Sequence, residues 1–387
     1  MWYFGSPTIV FGEDALNELA SLKGQRAFIV TDANIARLGL VDKVTQQLSI
    51  AGIQSGVFAE VEPDPSVETV QRGAQQMRKY APDWIIGLGG GSCMDAAKAM
   101  WVLYEHPEMV PEEINPIVPM KLRAKARLIT IPTTSGTGAE TTWAIVLTDT
   151  KAGRKLGLGS RENMADMAIV DPALVAGLPA RIAADTGMDA LTHAIEGYTV
   201  TWHNDFCDGL CLVATKLVCD YLPRSVANAS DKEAREKMHN AASIAGLGFG
   251  NALAALAHAM GHSMGAVFHT PHGRAVGLVL PYTIEFTRDA MAERYADIVR
   301  FARIPGGEAG HPAKALADHI RKLAKSVGQP LSIREAGISA EQFEAGLPKL
   351  VENAETDATL VVSARIPDSA ELARLYRYAF EGKPVDF

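Results

Sequence analysis

The sequence predicts an α/β N-terminal domain built on a parallel sheet, followed by an all-α C-terminal domain. Three observations carry this reading. Short apolar runs alternate with helix-period segments over the first part of the chain. After about Asp171 the strand signal fades, and long stretches rich in Ala, Leu, Met and His take over. The length, 387 residues, suits two such domains.

The elements follow in order. Arg26–Asp32 reads as a strand and Val41–Ala51 as an amphipathic helix. Gly56–Glu60 is a second strand, closed by Pro63 and Pro65, and Ser66–Tyr80 a second helix. Trp84–Leu88 and Ser92–Leu103 form a third strand–helix pair, and Leu128–Ile131 a fourth strand. Strands separated by helices imply right-handed βαβ units and a parallel sheet. Trp2 to Phe4 and Pro7–Phe11 are apolar and strand-like, suited to packing within the subunit or to pairing with the edge of a second one. Pro172 and Pro179 bracket the expected junction, so the domains are set at 1–178 and 179–387. In the second, Lys232–Ala259 exemplifies the helix period, and residues 305–312 read as a loop between helices.

Composition narrows the function. Apolar residues make up 48% and charged residues 21%, ordinary for a globular chain that buries a sizeable core. With 37 Lys and Arg against 45 Asp and Glu the formal charge is −8, and no basic run occurs, so nucleic acid and membrane surfaces are not expected partners. No apolar run approaches the ~18 residues that cross a bilayer, and the N-terminus lacks the pattern of a signal peptide. Four cysteines without a CxxC pair make neither a disulfide framework nor a thiolate metal site; Cys207, Cys211 and Cys219 read as free thiols on a helix face, and the expected compartment is the cytoplasm.

Two loops point to a phosphate-bearing ligand. Gly89, Gly90, Gly91 and Ser92 run from the third strand into a helix, where free N–H groups and the helix dipole favour an anion. Ser92 and Asp95 are spaced as in a capping box, which accounts for those two residues but not for three glycines. Thr133, Thr134 and Thr137 lie in the loop after the fourth strand, on the same sheet edge. Asp32, ending the first strand, suits ribose hydroxyls and repels a 2′-phosphate, which favours NAD; alternatively it is a strand-terminal acid. The usual dinucleotide fingerprint has its glycines before its acid, and here the order is reversed.

A metal is indicated by side-chain spacing. Asp189 and His193 stand four apart on one helix face, as do His258 and His262, and His269 and His272 follow in a turn. Imidazoles in apolar helices need partners. Mixed N and O donors suit Fe²⁺, Zn²⁺, Mn²⁺ or Ni²⁺. Spacing alone leaves open which of His258 and His262 is a ligand and which a proton carrier.

Gly89–Lys98, Pro132–Glu140, Gly187–Gly197, His258–His262 and Thr270–Gly273 together resemble the iron-containing (group III) alcohol dehydrogenases, over a span from Phe11 to about Tyr282. The resemblance implies a dinucleotide-binding α/β domain and a helical metal-binding domain with the active site between them. It implies Asp189, His193, His258 and His272 as metal ligands, with His262 the histidine beside the metal and nicotinamide. Implied cofactor contacts are Asp32, Gly89, Gly90, Gly91, Ser92, Asp95, Thr133, Thr134, Thr137 and Lys155. Asp64 stands where relatives often carry Asn, and Ser363–Asp368 departs from a relatives' Asn-Pro-Arg in a region where substrate pockets vary. The activity so implied is reversible oxidation of small primary alcohols or diols to aldehydes with NAD(H) and Fe²⁺, in a homodimer. Zinc-dependent glycerol dehydrogenases and dehydroquinate synthases are the rival enzymes, and a metal- and nucleotide-holding sensor is the rival outside enzymes.

Overall fold

The computed structural model describes the chain apart from Met1, Trp2, Val118, Ala152 and residues 307–310. Trp2 and most of the 305–312 loop therefore lie outside the described residues. The chain divides into two compact units, Met1–Leu178 and Pro179–Phe387.

The first unit is built on a six-stranded parallel sheet among the described residues. Its strands are β1 (Thr8–Phe11), β2 (Arg26–Val30), β3 (Gln54–Phe58), β4 (Trp84–Gly89), β5 (Arg127–Pro132) and β8 (Met167–Val170), in the order β1-β8-β5-β4-β2-β3. Between them run α1 (Ala33–Arg37), α2 (Leu40–Ile50), α3 (Val67–Tyr80) and α4 (Gly91–Glu105). Every residue of β4 is buried, as a central parallel strand covered on both faces requires. Along β2 the period of two is visible: Phe28 and Val30 join a core with Val70, Ala74, Met77 and Trp101, while Ala27 and Ile29 join another with Val44, Leu48 and Ile86.

Of the two alternatives for Pro7–Phe11, packing within the subunit is seen: it contributes β1, paired in parallel with β8, so one side of that strand is already used. Two features were absent from the sequence reading. The strand β8 has only four residues and gave no periodic signal. An antiparallel pair, β6 (Ala144–Asp149) and β7 (Arg154–Gly159), was not read from the sequence, although β6 opens on an apolar run; the exposed positions of β7 are Arg154 and Gly157.

The second unit is helical: α5 (Ala180–Thr199), α6 (Asp205–Ala227), α7 (Lys232–Gly250), α8 (Leu256–Phe268), α9 (His272–Phe286), α10 (Ala292–Phe301), α11 (Pro312–Ser326), α12 (Ala340–Glu355) and α13 (Ser369–Glu381). From Gly187 to Thr199 every residue of α5 is buried, so this helix is central. The helical period of Lys232–Ala259 is interrupted: α7 ends at Gly250, Leu253 takes a φ of 79°, and α8 starts at Leu256. No helix of the described residues is long and apolar enough to cross a membrane.

Candidate metal centre

In the second unit three helices bring their functional side chains together. Asp189 and His193 come from one face of α5, His258 from the first turn of α8, and His272 from the first residue of α9. One donor atom from each of the four lies within 4.8 Å of the others. Asp189 Oδ1 lies 3.3 Å from His272 Nε2, 3.7 Å from His193 Nδ1 and 3.9 Å from His258 Nε2. Both Asp189 Oδ1 and His258 Nε2 are buried and without a hydrogen-bond partner. Buried polar atoms rarely stay so, and a convergent set of one carboxylate and three imidazoles fits a divalent cation.

The helices approach this closely because glycine stands at the contacts. A Cβ on Gly261 of α8 would lie 2.5 Å from a Val276 methyl of α9, and one on Gly273 of α9 would lie 2.2 Å from the Asp185 carbonyl oxygen of α5. The second contact sets the start of α9, and hence His272, against the turn preceding Asp189. Arg274 Nε and Nη2 reinforce it with bonds to Asp185 at 3.0 and 3.2 Å, and Gln329 Nε2 donates to the same carboxylate at 2.8 Å.

The surroundings orient the imidazoles. Glu196, one further turn along the Asp189–His193 face, has its Oε2 2.5 Å from His258 Nδ1, which leaves Nε2 directed at the cluster. Phe249 of α7 stacks on His193 at 3.9 Å between centroids with planes 10° apart. His262 lies beside the cluster, its ring 5.2 Å from His272 and 5.8 Å from His258. Its Nδ1 is 2.9 Å from Asp357 Oδ2. The other oxygen of Asp357 accepts from the Thr359 N–H and hydroxyl at 2.9 and 2.6 Å, which fixes the carboxylate. Neither Glu196, Phe249 nor Asp357 was identified from sequence. The only available signal was the seven-residue spacing of Glu196 from Asp189; Phe249 reads as an ordinary core aromatic.

Burial and charge compete at each group. Burial would push the Asp189 carboxyl up, but the imidazoles of His193, His272 and His258 hold it well below the usual range. Burial would lower His258, yet the hydrogen bond and charge of Glu196 raise it. His262 is lowered: burial outweighs Asp357. Access is one-sided. The side chains of Asp189, His193 and His258 are 2%, 5% and 3% exposed, whereas His272 is 32% and His262 20% exposed. His269 ends α8 in a left-handed conformation and is not a member of the cluster.

In the first unit the nucleotide candidates gather at the carboxyl edge of β2, β4 and β5. The strand order reverses between β2 and β4, the place where open α/β sheets take ligands. Gly89, with φ 148°, ends β4; a Cβ there would lie 2.5 Å from Cys93 Sγ. Gly90 caps α4 without a side chain, and Gly91 packs so closely that a Cβ would meet the Thr137 Cγ2 at 3.0 Å and one on Gly90 the Thr134 side chain at 3.6 Å. Thr133 is tied to Gly89 O through its N–H at 2.9 Å, and its hydroxyl is buried without a partner. The capping box expected of Ser92 and Asp95 does not form. Ser92 Oγ accepts instead from Asp64 N at 3.3 Å, and Asp95 turns inward, accepting from Val146 N at 2.9 Å with Lys98 Nζ 3.6 Å away. Lys98 is fully buried and also donates to Ala144 O at 2.9 Å. Asp32 Oδ1 caps α1, accepting from Asn34 N at 2.7 Å and Ile35 N at 3.0 Å, and its Oδ2 is 3.4 Å from Cys93 Sγ. Lys155 Nζ is 2.6 Å from Asp64 Oδ1.

Comparison with known proteins shows the family of the chain. The family model described as "Iron-containing alcohol dehydrogenase" matches residues 6–172, and that described as "Fe-containing alcohol dehydrogenase family, C-terminal" matches residues 183–380. The chain is 41% identical to an NADPH-dependent butanol dehydrogenase of Clostridium saccharobutylicum, with 98% of both chains covered. It spans about half the length of the aldehyde-alcohol dehydrogenases that it matches at 38% identity. Among solved structures it is similar to a 1,3-propanediol oxidoreductase (32% identity, 98% and 100% of the two chains, TM-score 0.91). It is also similar to a sulfoacetaldehyde reductase of Bifidobacterium kashiwanohense in complex with NAD⁺ (30% identity, 98% of each chain, TM-score 0.86). The chain belongs to the iron-containing alcohol dehydrogenases, metal-dependent oxidoreductases that use a nicotinamide dinucleotide. The glycerol dehydrogenase and dehydroquinate synthase alternatives are not favoured.

Proposed function

We propose that this chain interconverts short primary alcohols or diols and their aldehydes with NAD(H), holding Fe²⁺ on Asp189, His193, His258 and His272. The observation that carries the reading is the four-residue cluster, buried except on the side of His272, where His262 also lies half-buried. Bound there, the cation supplies Lewis acidity toward an alcohol or aldehyde oxygen, and the dinucleotide supplies the hydride acceptor or donor.

The protein's own groups do the rest. Asp357 accepts the Nδ1 proton of His262, so His262 Nε2 is left with its lone pair. With its pKa lowered, His262 is neutral near pH 7 and takes a proton at Nε2 during alcohol oxidation, returning it during aldehyde reduction. The first turn of α4, with Gly90 and Gly91 free of side chains, binds the pyrophosphate through backbone N–H groups. Thr133, Thr134 and Thr137 supply hydroxyls beside it, and Ser92, Asp95 and Lys155 hold the neighbouring turns in place. The Asp32 carboxylate at the end of β2 disfavours a 2′-phosphate, which supports NAD for this chain even though its butanol dehydrogenase relative is named NADPH-dependent. The open side of β1 at the sheet edge supports a homodimer formed there, and free cysteines support a reducing cytoplasm.

The test is NADH oxidation with short aldehydes, before and after chelation, with Fe²⁺, Zn²⁺, Mn²⁺ or Ni²⁺ added back. Activity lost on chelation and best restored by Fe²⁺ is expected. Absence of turnover with every metal, despite NADH binding, refutes the reading.

A further inference from the structure

We infer that Glu196 is a positioning residue for the metal centre: it holds the His258 imidazole with Nε2 turned to the cation and supplies the second buried negative charge that matches a divalent ion. The inference rests on the cluster reading above.

Glu196 is buried, with its side chain 5% exposed. Its Oε2 accepts from Ala255 N at 2.9 Å and contacts His258 Nδ1 at 2.5 Å, and its Oε1 accepts from Ala257 N at 2.5 Å. One carboxylate from α5 thus fastens both the backbone at the start of α8 and the side chain that this start presents. Capping alone would explain the two backbone bonds, because the first N–H groups of a helix lack partners and favour an anion. It would not require an imidazole on the same oxygen. Ion pairing to Lys or Arg is not what keeps the charge: among the described residues its ion-pair partner is His258.

Charge counting favours the larger role. Asp189 and Glu196 are both carboxylates in the interior, flanked by imidazoles that coordinate only when neutral. With the imidazoles neutral, two buried carboxylates lack a matching positive charge, which is costly. A dication bound between Asp189 and the three imidazoles balances both, one directly and one through the His258 ring. Carboxylate partners of this kind raise ligand basicity and fix ring orientation. Asp189, His193 and Glu196 stand at i, i+4 and i+7 of α5, so one helix face carries two ligands and the support of a third.

The experiment measures Zn²⁺ affinity of the metal-stripped full-length protein by competition with a chromophoric chelator, for wild type, Glu196→Gln, His258→Ala and the double variant. Melting of each stripped protein is followed by circular dichroism. Glu196→Gln is expected to weaken Zn²⁺ binding by roughly 10–100-fold and to add no more than about twofold when His258 is already Ala. The Co²⁺-loaded variant is expected to show shifted visible absorption bands. If Glu196→Gln does not fold, Glu196→Asp, which keeps the charge but withdraws it by one methylene, enters the same cycle. Unchanged affinity, or a loss that persists undiminished in the His258→Ala background, overturns the role of Glu196 while leaving the cluster intact. A wild-type protein that fails to bind Zn²⁺, Co²⁺ or Fe²⁺ overturns the cluster reading itself.

Discussion

The two units organise their candidate sites by opposite means. In the helical unit, chemistry is carried by side chains from three helices, and the backbone serves to let them approach: Gly261 and Gly273 remove the atoms that would hold α5, α8 and α9 apart. In the sheet unit, the proposed binding surface is the backbone itself, and the candidate side chains mostly brace it. Asp32 caps a helix, Asp95 is bound to Val146 N, Thr137 Oγ1 accepts from Ala139 N, and Lys155 pairs with Asp64. A site made of converging side chains fails when one is removed. A site made of backbone degrades by steps. Substitutions in the two units should therefore differ in kind as well as size.

The largest effect is expected at Asp189. Its removal leaves three imidazoles without the carboxylate they share. Asp189→Ala should lose bound metal, measured by elemental analysis, and lower kcat/KM on the order of 10³-fold or more, since several kcal/mol of Lewis-acid stabilisation go with the ion. Retained metal with full activity would break the comparison at its stronger side.

Next comes His262, beside the cluster but outside it. His262→Ala should keep its metal and lose roughly 10²-fold in kcat. Asp357→Asn, which leaves the ring but loosens its anchor, should lose less, about tenfold. Loss of metal from His262→Ala but not from His258→Ala would exchange the two assignments.

Gly273→Ala tests whether backbone approach matters in the side-chain site. Its Cβ would fall 2.2 Å from the Asp185 carbonyl oxygen, so α9 must shift. Overpacking of this kind costs about 1–3 kcal/mol, to be read as a lower melting temperature together with weaker metal binding.

The smallest effect is expected in the sheet unit. Asp32→Asn retains the cap of α1, since Asn caps about as well as Asp, and removes only the charge. The NADH-over-NADPH ratio of kcat/KM should fall roughly tenfold, about 1.4 kcal/mol, with stability unchanged. An unaltered ratio would make Asp32 a helix cap alone.

Much of this was legible in the sequence because it is periodic. Short apolar runs located β2 and β4, period 3.6 located α3 and α5, and the four-residue spacings of Asp189 with His193 and of His258 with His262 marked the cluster's helices. What stayed hidden depends on distant partners. Spacing could not separate His258 from His262, because both lie on one face of α8. Their surroundings differ through Glu196 and Asp357, which are 62 and 95 positions away in the chain. Phe249 is indistinguishable from a core aromatic until its ring is found on His193. The β6–β7 pair was missed although β6 opens on the apolar run Ala144 to Leu147; β7 is masked by Arg154, Lys155 and two glycines, and the anchors of the pair, Asp95 and Lys98, belong to α4.

Lys98 has a consequence for how the sheet unit reacts with its surroundings. Its ammonium is wholly enclosed, close to Asp95 and bonded to Ala144 O, so an acylating reagent meets it only when α4 and β6 come apart. Exposed amines modify at the speed of the reagent; this one modifies at a rate limited by local opening, at the opening rate itself when reagent outpaces reclosing. Lys98 is thereby a built-in reporter of breathing of the strand–glycine–helix unit, silent while the turn is formed and marked once per molecule, as an added mass, when it opens.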